Sequence, residues 1–184
     1  MRAFVALDIA DEGVLNSLVA FQRELAATGA DLKLVERENL HFTLKFLGEI
    51  SDSQAEEAER RLGALKLAGG TVSISGVGSF PSPQRPNVVW VGVSREDEGR
   101  VKEIGEAVIK ALEGIGERET RPFQAHLTLA RVRSGGNRGQ LASAIKASSQ
   151  RQFGAFRLDT FKLKSSQLRP SGPTYADLGV YSLV

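Results

Sequence analysis

Two histidines, His41 and His126, are the only ones in the chain, and each opens the same four-residue pattern: His41-Phe42-Thr43-Leu44 and His126-Leu127-Thr128-Leu129. One such pattern is weak evidence, but two that use every histidine available point to a shared task. An imidazole with an ordinary pKa of about 6.5 changes charge near physiological pH. One ring can therefore take a proton from a nucleophile while the other gives one to a leaving oxygen. Thr43 and Thr128 can donate hydrogen bonds to non-bridging phosphoryl oxygens, where charge must be stabilised. The set suits phosphate-ester chemistry without a strong Lewis acid, and so an ester that is strained or easily displaced; a 2',3'-cyclic phosphate fits. A coupled pair of this kind gives a bell-shaped pH profile whose two apparent pKa values belong to the pair.

Duller explanations exist. A lone histidine on a strand is more often structural than catalytic, and threonine is simply a good strand former; the repetition outweighs both. A two-histidine metal site is the rival reading, but no Asp or Glu stands beside either histidine at strand spacing and the chain has no Cys. Neither a metal nor another cofactor is expected, and no disulfide framework can form.

Alternation places these groups. In a strand from about Asn39 to Gly48, Leu40, Phe42, Leu44 and Phe46 fall on one face and form core, while His41, Thr43 and Lys45 fall on the other. By that parity Phe46 is no base-stacking platform, and Lys45 shares the His41 face, where it can touch an RNA backbone. In a strand from about Phe123 to Val132, Ala125, Leu127 and Leu129 are buried, with Gln124, His126 and Thr128 opposite. Arg131 reaches the His126 face only if this strand ends or bulges near Ala130.

The remaining elements read as a strand from Arg2 to Ile9 and a helix from Asp11 to Gly29, with Asp11 as cap. Val14, Leu15, Leu18, Phe21 and Leu25 recur at helical spacing, and Gly29 suits the C' position. A second helix opens at Ser51 or Ser53, Ser53 and Glu56 having capping-box spacing, and a strand follows from Thr71 to Ser75. Three prolines within residues 81–86 mark Phe80 to Asn87 as an internal boundary, because proline suits neither a helix interior nor a central strand. Beyond it come a strand (Val88 to Val93), a helix (Val101 to about Ile115), the second histidine strand, and a helical stretch around Leu141 to Ile145. Two final strands, Phe156 to Gln167 and Tyr175 to Leu183, close the chain. From Phe4 to His41 is 37 residues and from Val88 to His126 is 38, which argues for a strand-helix-strand unit used twice. The expected fold is α+β: bilobal, pseudo-twofold and duplicated, with two antiparallel sheets facing a central cleft and helices outside. We expect one domain over residues 1–184, with lobes at about 1–85 and 86–184 and room for exchange of the C-terminal strands between them.

Net charge is only +2, but unevenly divided: residues 1–117 hold 13 Lys/Arg and 19 Asp/Glu, and residues 118–184 hold 11 and 3. A basic C-terminal third fits a polyanionic partner. The N-terminal apolar run meets Asp8, Asp11 and Glu12 too early for a signal peptide, and no stretch approaches a membrane span, so a cytoplasmic protein without membrane association is expected.

At its motifs the sequence resembles the 2H phosphoesterase superfamily, and within it the RNA 2',3'-cyclic phosphodiesterase family, also called the 2'-5' RNA ligase family. The resemblance runs through Arg2-Ala3-Phe4-Val5-Ala6-Leu7, His41-Phe42-Thr43-Leu44-Lys45-Phe46-Leu47-Gly48, the Phe80-Pro81 and Arg85-Pro86 loop, His126-Leu127-Thr128-Leu129-Ala130-Arg131, and Gly172-Pro173-Thr174-Tyr175. It implies hydrolysis of 2',3'-cyclic phosphate RNA ends, tRNA halves among them, to 2'-phosphomonoesters by a monomer, and in some members a reversible, ATP-independent 2'-5' joining. By the same resemblance His41 is the proton donor to the departing 3' oxygen and His126 the proton acceptor that activates water, although spacing alone leaves those roles exchangeable. Thr43 and Thr128 would hold the phosphate and Arg131 would add charge to it. Arg85 and Tyr175 lie in loop or turn settings from which they can reach RNA. Two alternatives stay open: a non-catalytic module that binds RNA ends, and a 2H phosphodiesterase for another 2',5'-linked or cyclic nucleotide.

Overall fold

The computed structural model describes residues 1–184. In chain order the elements are β1 (Arg2–Asp8), α1 (Glu12–Ala27), β2 (Leu32–Leu34), a single 3-10 turn (Arg37–Asn39), β3 (His41–Glu49), α2 (Asp52–Gly63), β4 (Gly70–Ser82), β5 (Arg85–Val93), α3 (Glu98–Ala111), β6 (Leu127–Val132), α4 (Arg138–Ala147), β7 (Gln152–Leu158), β8 (Thr160–Arg169) and β9 (Gly172–Ser182). Local chemistry sets several boundaries. The Asp11 carboxylate accepts the Val14 N–H at 2.9 Å to open α1, and Gly29 just past its end takes φ +80°. The predicted stripe of Val14, Leu15, Leu18, Phe21 and Leu25 is buried. At α2 the capping box is formed by Ser51 and Gln54, each bonding the other's backbone N–H, not by Ser53 and Glu56.

All strand pairs are antiparallel, in the order β7-β4-β5-β6-β3-β1-β8-β9, with β2 added to β6. Read inward from its two ends, this order repeats itself: β9-β8-β1-β3 answers β7-β4-β5-β6. The duplication expected from the sequence is therefore realised as a pseudo-twofold arrangement. The two half-sheets do not stay separate, because one residue pair, Phe42 with Leu127, joins β3 to β6. Both side chains are essentially fully buried, and the hydrophobic core runs unbroken through them. Helices α1 and α4 pack on the β4–β7 half, α3 on β3 and α2 on β9.

Two expectations take a different form in three dimensions. Phe80 to Asn87, expected as an internal boundary, is the tip of the β4–β5 hairpin, with Pro81 opposite Pro86. The prolines are tolerated because β7 flanks β4 only as far as Ser75 and β6 flanks β5 only from Val88. At the tip each strand has only one neighbour, the edge setting in which proline is tolerated. A division at residue 85 thus cuts a hairpin, and β4 sits with β5 to β7 while β8 and β9 flank β1. The single strand expected from Phe156 to Gln167 is two strands: the chain leaves β7 at one edge, turns at Asp159, and enters β8 in the other half.

Candidate active site

Two bulges at equivalent places decide which side chains face the cleft. Along β3, Ala6 pairs with Thr43 but Val5 pairs with Lys45, so Leu44 is the extra residue. Along β6, Trp90 pairs with Thr128 but Val89 pairs with Ala130, so Leu129 is the extra residue. A bulge puts two residues against one and reverses the alternation beyond it. Accordingly Leu44 and Lys45, and likewise Leu129 and Ala130, are consecutive buried residues. The fifth residue after each histidine, Phe46 and Arg131, is thereby returned to the cleft face.

Three sequence expectations are settled by this geometry. Arg131 lines the cleft, by the bulge its placement required. Phe46 lines it too, contrary to the core position that regular alternation assigned, and the Arg2 guanidinium stacks 4.9 Å from its ring centroid. Lys45 does not share the His41 face. It is only 3% exposed, its Nζ donates to the Glu117 backbone oxygen at 2.8 Å, and the Glu119 carboxylate lies at 3.8 Å. The loop that receives it lies tight on the back of β3: Glu117 N–H bonds Leu47 O, and a Cβ on Gly116 would stand 2.3 Å from that oxygen. Lys45 is thus a structural tie, turned away from the cleft.

The cleft itself is a cavity of about 650 Å³ lined by His41, Thr43, His126, Thr128, Arg131 and Tyr175, with Arg2, Lys33, Phe4 and Phe46 around them. Both imidazoles are held alike. His41 Nδ1 lies 2.6 Å from Asn39 O, and His126 Nδ1 lies 2.9 Å from Gln124 O, in each case the carbonyl two residues before the ring. A carbonyl only accepts, so each Nδ1 carries hydrogen and each Nε2 is the nitrogen free for proton transfer. His41 Nε2 sits 3.0 Å from Thr43 Oγ1. Rings brace the imidazoles: Phe4 and Tyr175 against His41 at 5.1 and 5.6 Å, Phe80 against His126 at 5.0 Å. Asn39 adds a second tie by donating its side-chain N–H to Pro173 O, which anchors the start of β9 beside His41.

Sequence reasoning missed Asn39, Gln124, Phe46 and Arg2. One signal was present: an amide residue stands two before each histidine. Tyr175 lies in β9 and does reach the cleft, where burial pushes its phenol above the ordinary value and keeps it a donor near neutrality. Arg85, at the β4–β5 hairpin tip, is not part of the cleft lining.

Burial, above all, lowers the His41 pKa; the Asn39 carbonyl and Asp8 oppose this, while Lys164 and His126 add to it. Between the lowered folded value and about 6.5 the unfolded chain binds a proton that the folded chain does not, so stability falls as pH drops through that window. A phosphate in the cleft favours the charged ring and opposes this. With two histidines in the chain, the imidazole NMR signals are assignable from one variant. We expect the His41 titration midpoint below 6.5, moved upward by saturating inorganic phosphate. A midpoint unmoved by phosphate would mean that the anion does not sit beside His41.

The "LigT like Phosphoesterase" family profile matches the chain twice in tandem, over residues 7–90 and 91–175. A protein of Archaeoglobus fulgidus named RNA 2',3'-cyclic phosphodiesterase is 37% identical over 181 residues, 98% of this chain and 99% of its own. One of the same name from Methanothermobacter thermautotrophicus is 35% identical over 185 residues, 100% of this chain and 99% of its own. Among solved structures, the protein TT0787 of Thermus thermophilus superposes with a TM-score of 0.79 at 28% identity, covering 100% of this chain and 98% of that one.

Proposed function

The chain belongs to the LigT-like phosphoesterase family, and from that premise we propose that its cleft opens terminal 2',3'-cyclic phosphates of RNA to 2'-phosphomonoesters. The observation that carries the reading is the matched pair of Nδ1 contacts, which leave two Nε2 atoms on one cavity that also holds two threonine hydroxyls and a guanidinium. Relatives of full-length similarity carry the corresponding name.

In the proposed reaction the phosphate sits between the rings. His126 Nε2 accepts a proton from water as the oxygen attacks phosphorus, and His41 Nε2 donates one to O3' as the P–O3' bond breaks. A lowered pKa makes the protonated His41 ring the stronger acid, which suits a donor to an alkoxide leaving group; the phosphate's own charge favours the protonated ring. Thr43, Thr128 and Arg131 donate to the non-bridging oxygens. Phe46 with Arg2, and Tyr175, offer flat surfaces for the terminal base. The reaction as written uses no metal or other cofactor, and we place it in a cytoplasmic monomer acting on RNA ends, tRNA halves included.

The test is incubation of purified protein with adenosine 2',3'-cyclic phosphate in excess EDTA. The expected product is 2'-AMP. Tight binding without turnover would instead make the protein an RNA-end binder, and 3'-AMP would reverse which oxygen leaves.

A further inference from the structure

The two histidines are braced alike, yet in the proposed reaction one gives a proton and the other takes one, so the fold has to make them different. Residues of the two halves can be equated through their partners on the motif strands: Ala6 pairs with Thr43 as Trp90 pairs with Thr128. Two residues further along β1 stands Asp8, directly opposite His41. Its counterpart on β5 is Gly92. On the adjoining strands Lys162 pairs with Ala6 and Lys164 with Phe4, whereas Gly78 pairs with Trp90 and Phe80 with Val88. Three charged side chains in the His41 half are thus answered in the His126 half by two glycines and a phenylalanine.

Those charges, with Asp177, form a closed cluster. Lys164 Nζ lies 2.8 Å from the Asp8 carboxylate and 3.1 Å from that of Asp177, and Lys162 Nζ lies 3.1 and 2.9 Å from the same two groups. Lys164 is buried, and two ammoniums on one carboxylate leave Asp8 little freedom to turn away. Residues directly opposite in an antiparallel pair project from the same face, with Cβ atoms about 5 Å apart, so Asp8 is held on the His41 side of the sheet. The other groups that bear on the His41 charge are the Asn39 carbonyl before it, Lys164 on β8 and His126 on β6. Tyr175 meets the imidazole from β9 as a neutral phenol, and Arg2, Arg131 and the Lys33–Glu36 pair line the cleft more widely. Asp8 is therefore the one carboxylate set across the strand pair from an imidazole that burial would otherwise keep neutral.

We propose that Asp8, clamped by Lys162 and Lys164, is a positioning residue for His41, a fixed counter-charge that keeps this imidazole in its donating form, and that Gly92 in its place leaves His126 free to accept. The inference rests on the proposed reaction, in which His41 protonates O3' and His126 takes the proton of water. It adds what the matched carbonyl contacts cannot, a reason for the direction of proton flow. Negative charge opposite His41 stabilises the imidazolium before the step and favours its reprotonation afterwards. Beside His126 no carboxylate occupies the equivalent position, so nothing there favours the charged form until the attacking water gives up its proton.

Three variants separate charge from packing. Asp8→Asn removes the negative charge and keeps the shape, Lys164→Met removes the opposite charge, and Asp177→Asn breaks as many ion pairs while leaving Asp8 in place. In NMR titrations of the two imidazoles the His41 midpoint should fall in Asp8→Asn and rise in Lys164→Met, and Asp177→Asn should move it less than Asp8→Asn does. The His126 midpoint should move less than that of His41 in each. At mildly alkaline pH, where the donating form is scarce, kcat/KM for adenosine 2',3'-cyclic phosphate should drop about tenfold in Asp8→Asn. It should recover in part in Asp8→Glu and stay within about twofold of wild type in Asp177→Asn. A His41 midpoint unmoved by Asp8→Asn, displaced the same way by Lys164→Met, or displaced as far by Asp177→Asn overturns the proposal, because a merely structural cluster acts through its integrity and not its sign. So does an unchanged kcat/KM alongside a fallen midpoint. If the wild-type protein leaves the cyclic phosphate unopened, the reading of the main site fails separately, and the midpoints still decide whether Asp8 governs His41.

Discussion

Alanine at either His41 or His126 is expected to lower kcat for cyclic phosphate opening by about 10²- to 10⁴-fold while leaving the fold intact. The two rings are partly exposed on the cleft wall, and the residues that bury around them belong to strands held by other contacts, so the loss is chemical. Circular dichroism and an unshifted thermal midpoint check the fold. The double variant should be little worse than the poorer single one, since groups that act as a unit are non-additive. Single-turnover pH profiles carry the assignment further. Removing His126 as base should abolish the acidic limb of the kcat/KM bell, and removing His41 as acid should abolish the alkaline limb. Limbs lost the other way round would exchange the two roles. Full activity in either single variant would end the acid/base reading.

The placement of the histidines was legible because the four-residue pattern carries both chemistry and geometry: within His-x-Thr-Leu the alternation of faces is regular, so His41 with Thr43 and His126 with Thr128 could be set on one face from sequence. Illegibility begins at the leucine that ends each pattern. Leu44 and Leu129 are bulge residues without glycine or any other local mark, since neither takes the positive φ that would ask for glycine. Parity carried through Leu44 therefore exchanged Lys45 and Phe46, sending the lysine to the cleft and the phenylalanine to the core. Arg131 escaped the same error only because its need for a bulge was recognised. A like cause underlies the hairpin at Phe80 to Asn87: proline argues against a strand with two neighbours, and the sequence does not say how many neighbours a strand has. The strand order, and with it the placement of β8 and β9 beside β1, depends on long-range pairing that local propensity does not encode.

The equivalence of the two bulges also yields a sharp contrast between neighbouring cations. Lys45 and Ala130 occupy the same position in the two motifs, as do Phe46 and Arg131, so each motif brings one side chain to the cleft and sends one into the protein. One motif supplies a ring there and the other a charge, which suits the proposed substrate, a base on one side of a phosphate. Arg131→Ala is therefore expected to lower kcat/KM by about 10²- to 10³-fold, the loss typical of removing one donor to a developing oxyanion. Arg131→Lys should recover only part of it, because an ammonium lacks the two-pronged geometry of a guanidinium on phosphate. Lys45→Ala should do the reverse. Its Nζ is committed to the Glu117 oxygen behind the strand, so kcat/KM should stay within about threefold, while stability, read by urea unfolding, falls by roughly 1–3 kcal/mol for the carbonyl left unpartnered. If Lys45→Ala instead impaired turnover as severely as Arg131→Ala without loss of stability, the bulge at Leu44 would not exist in solution, and the strand would present its alternate residues to the phosphate as a regular strand does.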